Sequence, residues 1–110
     1  MRIELYDLPK VSLNQWYSGT HWSKRKKLKD TYIILVRSQT NHRFSKENKY
    51  KVDYHFTFTN NPLDASNCVA MVKMIEDILF ESDGYKIVRE ISISSNKGKE
   101  NKTLITITKQ

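Results

Sequence analysis

From Tyr50 to Phe58 the chain alternates Tyr50, Val52, Tyr54, Phe56 and Phe58 with Lys51, Asp53, His55 and Thr57. Successive side chains of a strand point to opposite faces, so a period of two held over this length demands an extended segment with one buried face. A helix would scatter the same apolar residues around its axis. The strand therefore belongs to a sheet covered on one side, and the rest of the chain has to supply the cover. Asn60, Asn61 and Pro62 stop the run.

Two segments are suited to be that cover. After Ser66, a candidate cap, Cys68, Met71, Val72, Ile75, Ile78 and Leu79 fall on one stripe at about 100° per residue, opposite Ser66, Ala70, Lys73 and Asp77. This predicts a helix reaching to about Phe80. An earlier helix is expected from about Lys24 to Ser38, with Ser23 as its cap and Leu28, Tyr32, Leu35 and Val36 at helical spacing. Val11 to Trp22 reads as an aromatic loop. Ile3 and Leu5 mark a short first strand ending before Pro9, and Asp83-Gly84 makes a turn into a strand carrying Tyr85, Ile87, Ile91 and Ile93, with Val88 on its other face. Asn96 to Asn101, containing Gly98, reads as a hairpin connection to a last strand with Ile105 and Ile107. The expectation is a single α+β domain over residues 1–110, a mixed sheet with two helices in the order β-α-β-α-β-β.

At 110 residues the chain has room for one core. Its 19 Lys and Arg against 12 Asp and Glu leave a charge of +7, a field that favours polyanions such as nucleic acid. No apolar run approaches the roughly 20 residues that span a bilayer, and the opening residues lack the apolar core of a signal peptide, so no membrane partner and a cytosolic location are expected. The single cysteine, Cys68, excludes an intrachain disulfide and a cysteine-cluster zinc site, and its place in the apolar stripe assigns it to the core. His21, His42 and His55 lack metal-ligand spacing.

The acids flank one helix: Asp64 before it, Glu76 and Asp77 within it, Glu81 and Asp83 after it. A helix of about 14 residues is roughly 21 Å long, so Asp64 and Asp83 meet only if the chain folds back along it. Taken alone, Asp64 is also what a helix N-terminus favours, Asp83-Gly84 an ordinary turn, Lys73 and Asp77 an ordinary i, i+4 pair, and Glu76 and Glu81 solvated acids. Lys24, Arg25, Lys26 and Lys27 open the first helix, where they oppose its dipole, which points to a phosphate partner. Asn14, Trp16, Tyr17, His21 and Trp22 precede or adjoin them; aromatic residues there serve either to stack on unpaired bases or as satellite core and subunit contacts.

Asp64-x-Ser66-Asn67, then Lys73 with Asp77-Ile78-Leu79, then Ser82-Asp83 before Tyr85, resembles the motif series of the RusA family of Holliday-junction resolvases, as met in phage and prophage. The segment Ser12-Leu13-Asn14-Gln15-Trp16-Tyr17, followed by His21-Trp22-Ser23-Lys24-Arg25-Lys26-Lys27, resembles the N-terminal part of its phage-borne members, so the likeness covers nearly the whole chain. Ser66 and Ser82 stand where many members have Asp, and the commonest spacing would put the lysine at Ala70. The resemblance implies a RusA-like fold and a homodimer in the bacterial host cytosol acting in DNA recombination and repair. It implies phosphodiester hydrolysis at a four-way junction or related branched DNA, with Asp64 and Asp83 as metal-binding acids, Asp77 as a supporting acid and Lys73 near the scissile phosphate. The ion would be Mg²⁺, or Mn²⁺, with no organic cofactor; Asn14, Trp16, Tyr17, Trp22 and the run from Lys24 to Lys27 would hold DNA. A non-catalytic junction-binding module, or a phage interaction protein docking on an acidic host partner, are the rival expectations.

Overall fold

The computed structural model describes residues 1–17, 22–82 and 84–110. Four strands, β1 (Arg2–Tyr6), β2 (Tyr50–Phe58), β3 (Val88–Lys97) and β4 (Lys102–Lys109), form one mixed sheet in the order β1-β4-β2-β3. Three helices accompany them: α1 (Leu13–Tyr17), α2 (Trp22–Gln39) and α3 (Val69–Leu79), the last entered through a 3₁₀ turn, Ala65–Cys68. The α+β class stands, with one helix more than expected. β2 runs parallel to β3 and antiparallel to β4, which is also antiparallel to β1. Parallel neighbours need a crossover, and α3 supplies it between β2 and β3.

The alternation of β2 is realised in full: Tyr50, Val52, Tyr54, Phe56 and Phe58 are buried and the residues between them half-exposed. Ring centroids of Tyr54 and Phe56 lie 6.5 Å apart, those of Phe56 and Phe58 6.1 Å. The sheet register aligns Ile3, Ile105, Tyr54 and Ile93 in one row across all four strands, and this apolar face packs on Met71, Val72, Ile75 and Leu79 of α3 and on Tyr32 and Val36 of α2. Its other face is polar and tied strand to strand, by Lys51 to Glu90 (3.2 Å) and His55 Nδ1 to the Ser94 hydroxyl (2.5 Å).

Several local expectations are corrected. Asn96 to Asn101 is not a hairpin, because β4 passes beyond β2 and inserts between it and β1, where it gains a ladder on each side. The link has to cross the end of β2, and it does so closely: Gly98 N donates to Phe58 O (2.9 Å) and Thr59 N to Asn101 Oδ1 (3.1 Å). A Cβ at position 98 would lie 2.4 Å from Thr57 Cγ2, so any larger residue there would force Thr57 to shift. Tyr85 and Ile87 belong to the turn before β3, with Tyr85 exposed. Glu76, expected in solvent, is buried, since it lies one turn after Val72 on a face turned inward, and Ala70 is buried too.

Val11–Trp22, read as a loop, contains α1. Ser12 and Gln15 cap it reciprocally: Gln15 N donates to Ser12 Oγ and Ser12 N to Gln15 Oε1, both at 3.0 Å. This is a capping box, and Ser-x-x-Gln was its legible signal. α2 begins at Trp22, so Ser23 lies inside its first turn rather than before it. Among the described residues no helix is long and apolar enough to cross a membrane.

Candidate nucleic-acid interface

The loop that carries Asp64 is pinned from two sides. Asn61 adopts a positive φ of 44°, a conformation Asn tolerates, and turns the chain out of β2. Lys10 Nζ donates to the carbonyls of Asn60 and Asn61 (3.0 Å each), and the Ser95 hydroxyl to the Leu63 carbonyl (2.5 Å). Asp64 then stands at the N-cap position of the 3₁₀ turn, exposed, its carbonyl accepting from Asn67 N (2.8 Å). Its side chain makes no capping hydrogen bond, which leaves only the helix dipole to favour an acid at this position.

α1 packs against this same turn and against α3. Trp16 is half-buried there, whereas Tyr17 and Trp22 are 67% and 69% exposed, unusual values for large aromatic side chains. Two cations of α2 lie over these rings: the Arg25 guanidinium 5.5 Å from the Trp16 centroid and 5.8 Å from Tyr17, and Lys29 Nζ 5.7 Å from Trp16. Arg25 Nε is buried without a hydrogen-bond partner among the described residues. The basic run is thereby divided. At about 100° per residue Arg25 and Lys29 turn toward α1, Lys24 and Lys27 point outward together, and Lys26 takes a third direction. There it meets Asp30 (3.0 Å) in an exposed pair of small energetic consequence. Asn14 is exposed on α1.

Among the described residues, Asp64 and Asp77 do not meet. Asp77 lies near the far end of α3, roughly 20 Å from Asp64 along the axis at about 2 Å per residue in the 3₁₀ turn and about 1.5 Å in the α-helix. One ion binds oxygens at about 2.1 Å, so Asp64 and Asp77 of one chain cannot share it. Lys73 and Asp77 are exposed on the outer strip of α3, while Ala70, where the commonest family spacing would put the lysine, faces the core. Asp83 and His21 lie outside the described residues. The described neighbours of Asp83 do not fold back along α3: Glu81 N donates to Phe44 O (3.0 Å), Ile87 N to Gly84 O (2.9 Å) and Tyr50 N to Ile87 O (2.7 Å), all at the start of β2, whereas Asp64 follows its end. Glu81 is exposed and accepts from Lys46 N (2.8 Å). Among the described residues no group of three or more His, Cys, Asp or Glu is arranged to hold a metal ion.

Cys68 is fully buried beneath the turn, and desolvation pushes its thiol up to about 11, the neighbouring Ser95 side chain opposing and the Asp64 charge adding to the shift. It is a core thiol, not a nucleophile at neutral pH. What the arrangement offers chemically is a basic, aromatic surface that also carries the exposed acids Asp30 and Asp64. Compared with known proteins, the chain matches no family model and no curated protein sequence.

Proposed function

We propose that this chain is a divalent-metal-dependent endonuclease for branched DNA, with the RusA-like fold and activity that its sequence motifs imply. The observation that carries the reading is the packing of α1, whose Trp16 and Tyr17 lie under Arg25 and Lys29, on the 3₁₀ turn that follows Asp64, far away in sequence. Lys24 and Lys27 would hold phosphates through salt-sensitive contacts, and the exposed rings of Tyr17 and Trp22 would stack on bases unpaired at the branch point. A two-fold homodimer in the bacterial cytosol would present two such faces to the symmetry-related strands of a four-way junction.

The fit to Mg²⁺ rests on Asp64, with the Ser66 hydroxyl and Asn67 amide in the same turn. Mg²⁺ keeps several waters and takes only one or two carboxylates plus substrate phosphate, so a sparse donor set is compatible with it. When bound, the ion would activate a water for attack on the phosphodiester. Lys73, about 15 Å from Asp64 along the same axis, would meet the DNA backbone away from the scissile phosphate, and Asp83 is the second acid that the resemblance implies. Asp77 is left out of this set by its distance from Asp64.

A labelled synthetic four-way junction, incubated with and without Mg²⁺ or Mn²⁺, tests the reading. Cleavage is expected only with metal, and Asp64→Asn is expected to lower it by about 100-fold or more while leaving junction affinity within about twofold. An Asp64→Asn protein that cuts normally would overturn the assignment. The separation of Asp64 from Asp77 favours a second reading, a junction-binding module without catalysis; binding with no cutting in either metal would establish it.

A further inference from the structure

We propose that the groove between α2 and α3 is a docking site for an acidic peptide segment bearing a large apolar side chain, a partner interaction that borders the proposed DNA surface at Lys29 and is independent of the nuclease reading. The groove has a cavity of about 240 Å³. Ile33, Met74 and Ile78 give it an apolar floor, and Lys29, Arg37 and Arg43 supply positive charge around it. An apolar cavity of about 150 Å³ accommodates a benzene ring, so there is room for one aromatic or large aliphatic side chain.

The two arginines are held in place by backbone they also cap. Arg37 donates to the carbonyls of His42 (2.7 Å) and Ile78, and Arg43 donates to Ile78 O (3.3 Å), at the carbonyl end of α3 where cations are favoured. Each guanidinium has five N–H donors in a rigid fork, more than these contacts use, and the fork matches a carboxylate. Asp77 is the one acid lining the groove, against three cations.

Apolar exposure decides between occupants. Ile33, on the groove's floor, is 47% exposed. A DNA backbone has no side chain to bury on such a floor, whereas an acidic peptide with an apolar anchor satisfies both floor and rim. A second copy of this chain would bring a charge of +7 against a rim of the same sign.

The probe is a fluorescein-labelled peptide of four aspartates followed by leucine and phenylalanine, titrated with the full chain in a fluorescence-anisotropy assay. Saturable binding is expected below about 100 µM. Exchanging the aspartates for asparagine, or the phenylalanine for alanine, is expected to weaken it by roughly tenfold, as is Ile33→Glu, with the melting temperature checked for each variant. Asp77→Asn removes the opposing charge and is expected to tighten binding about two- to fivefold, a gain that misfolding cannot imitate. Ile33→Glu is expected to leave four-way-junction binding unchanged, so this proposal and the nuclease reading can fail separately. Absence of saturation up to about 1 mM, or indifference to Ile33→Glu, would overturn it. Displacement of the peptide by a DNA junction together with loss of junction binding in Ile33→Glu would overturn it in favour of nucleic acid. Self-association abolished by Ile33→Glu would overturn it in favour of a second copy.

Discussion

Two aromatic regions of this chain meet opposite fates. On β2, Tyr50, Tyr54, Phe56 and Phe58 are buried against α2 and α3. On α1 and the start of α2, Tyr17 and Trp22 are left in solvent, and Trp16 lies half-buried beneath Arg25 and Lys29. The residue types are alike; the neighbours differ. Alternation at period two gives Tyr50, Tyr54, Phe56 and Phe58 the same buried side, whereas Trp16 only edges onto the core and, with Tyr17, lies under cations. The buried rings hold the fold, and the largely exposed Tyr17 and Trp22 add little to it.

The sharpest way to break this contrast is a pair of truncations. Phe56→Ala is expected to destabilise by about 3–5 kcal/mol, a large part of a typical total stability, whereas Tyr17→Ala is expected to change it by less than about 0.5 kcal/mol. Binding should reverse that ranking: Tyr17→Ala is expected to lose about 1–3 kcal/mol of affinity for a junction with unpaired bases. Urea melts and junction titrations of the two proteins read both effects. Equal destabilisation would mean that α1 belongs to the core.

Gly98→Ala probes the close passage over the end of β2. Its Cβ would meet Thr57 Cγ2 at 2.4 Å, and about 1–3 kcal/mol of destabilisation is expected. Adding Thr57→Ser, which removes the methyl and retains the hydroxyl that donates to Asn96 (3.1 Å), should recover most of it; failure to recover would locate the strain elsewhere. Ser12→Ala removes one arm of the α1 capping box and is expected to cost about 1 kcal/mol, seen as a lower urea midpoint together with weaker junction binding, because α1 carries the interface rings.

The last effect appears only at high pH and comes from Cys68. Burial raises its folded-state value to about 11 from an ordinary 9.0, so its stabilising contribution is complete below pH 9 and is lost as pH rises toward 11. The urea midpoint of the native chain should therefore fall more steeply between pH 9 and 11 than that of Cys68→Ala. Identical slopes would show that the thiol is already accessible in the folded protein.

Much of the architecture was legible before any coordinates. The burial of β2, the stripe on α3, the buried Ile3, Leu5, Ile105 and Ile107 and the core position of Cys68 follow from spacing along single elements. Less of the site was. Ser12-x-x-Gln15 carried a capping signal that the surrounding aromatics obscured, and nothing in the run from Lys24 to Lys27 announced that only Arg25 would turn onto Trp16 and Tyr17.

By itself the sequence determined the core of each strand, the two longer helices and most of their inward faces, because periodicity is a property of neighbours a few residues apart. Only the tertiary structure decided that β4 lies between β1 and β2, that α1 lies against the turn after Asp64, and that Asp64 and Asp77 stand at opposite ends of a rod. Those outcomes depend on which distant surfaces pair, a choice made by long-range ladders and packing that no local pattern encodes.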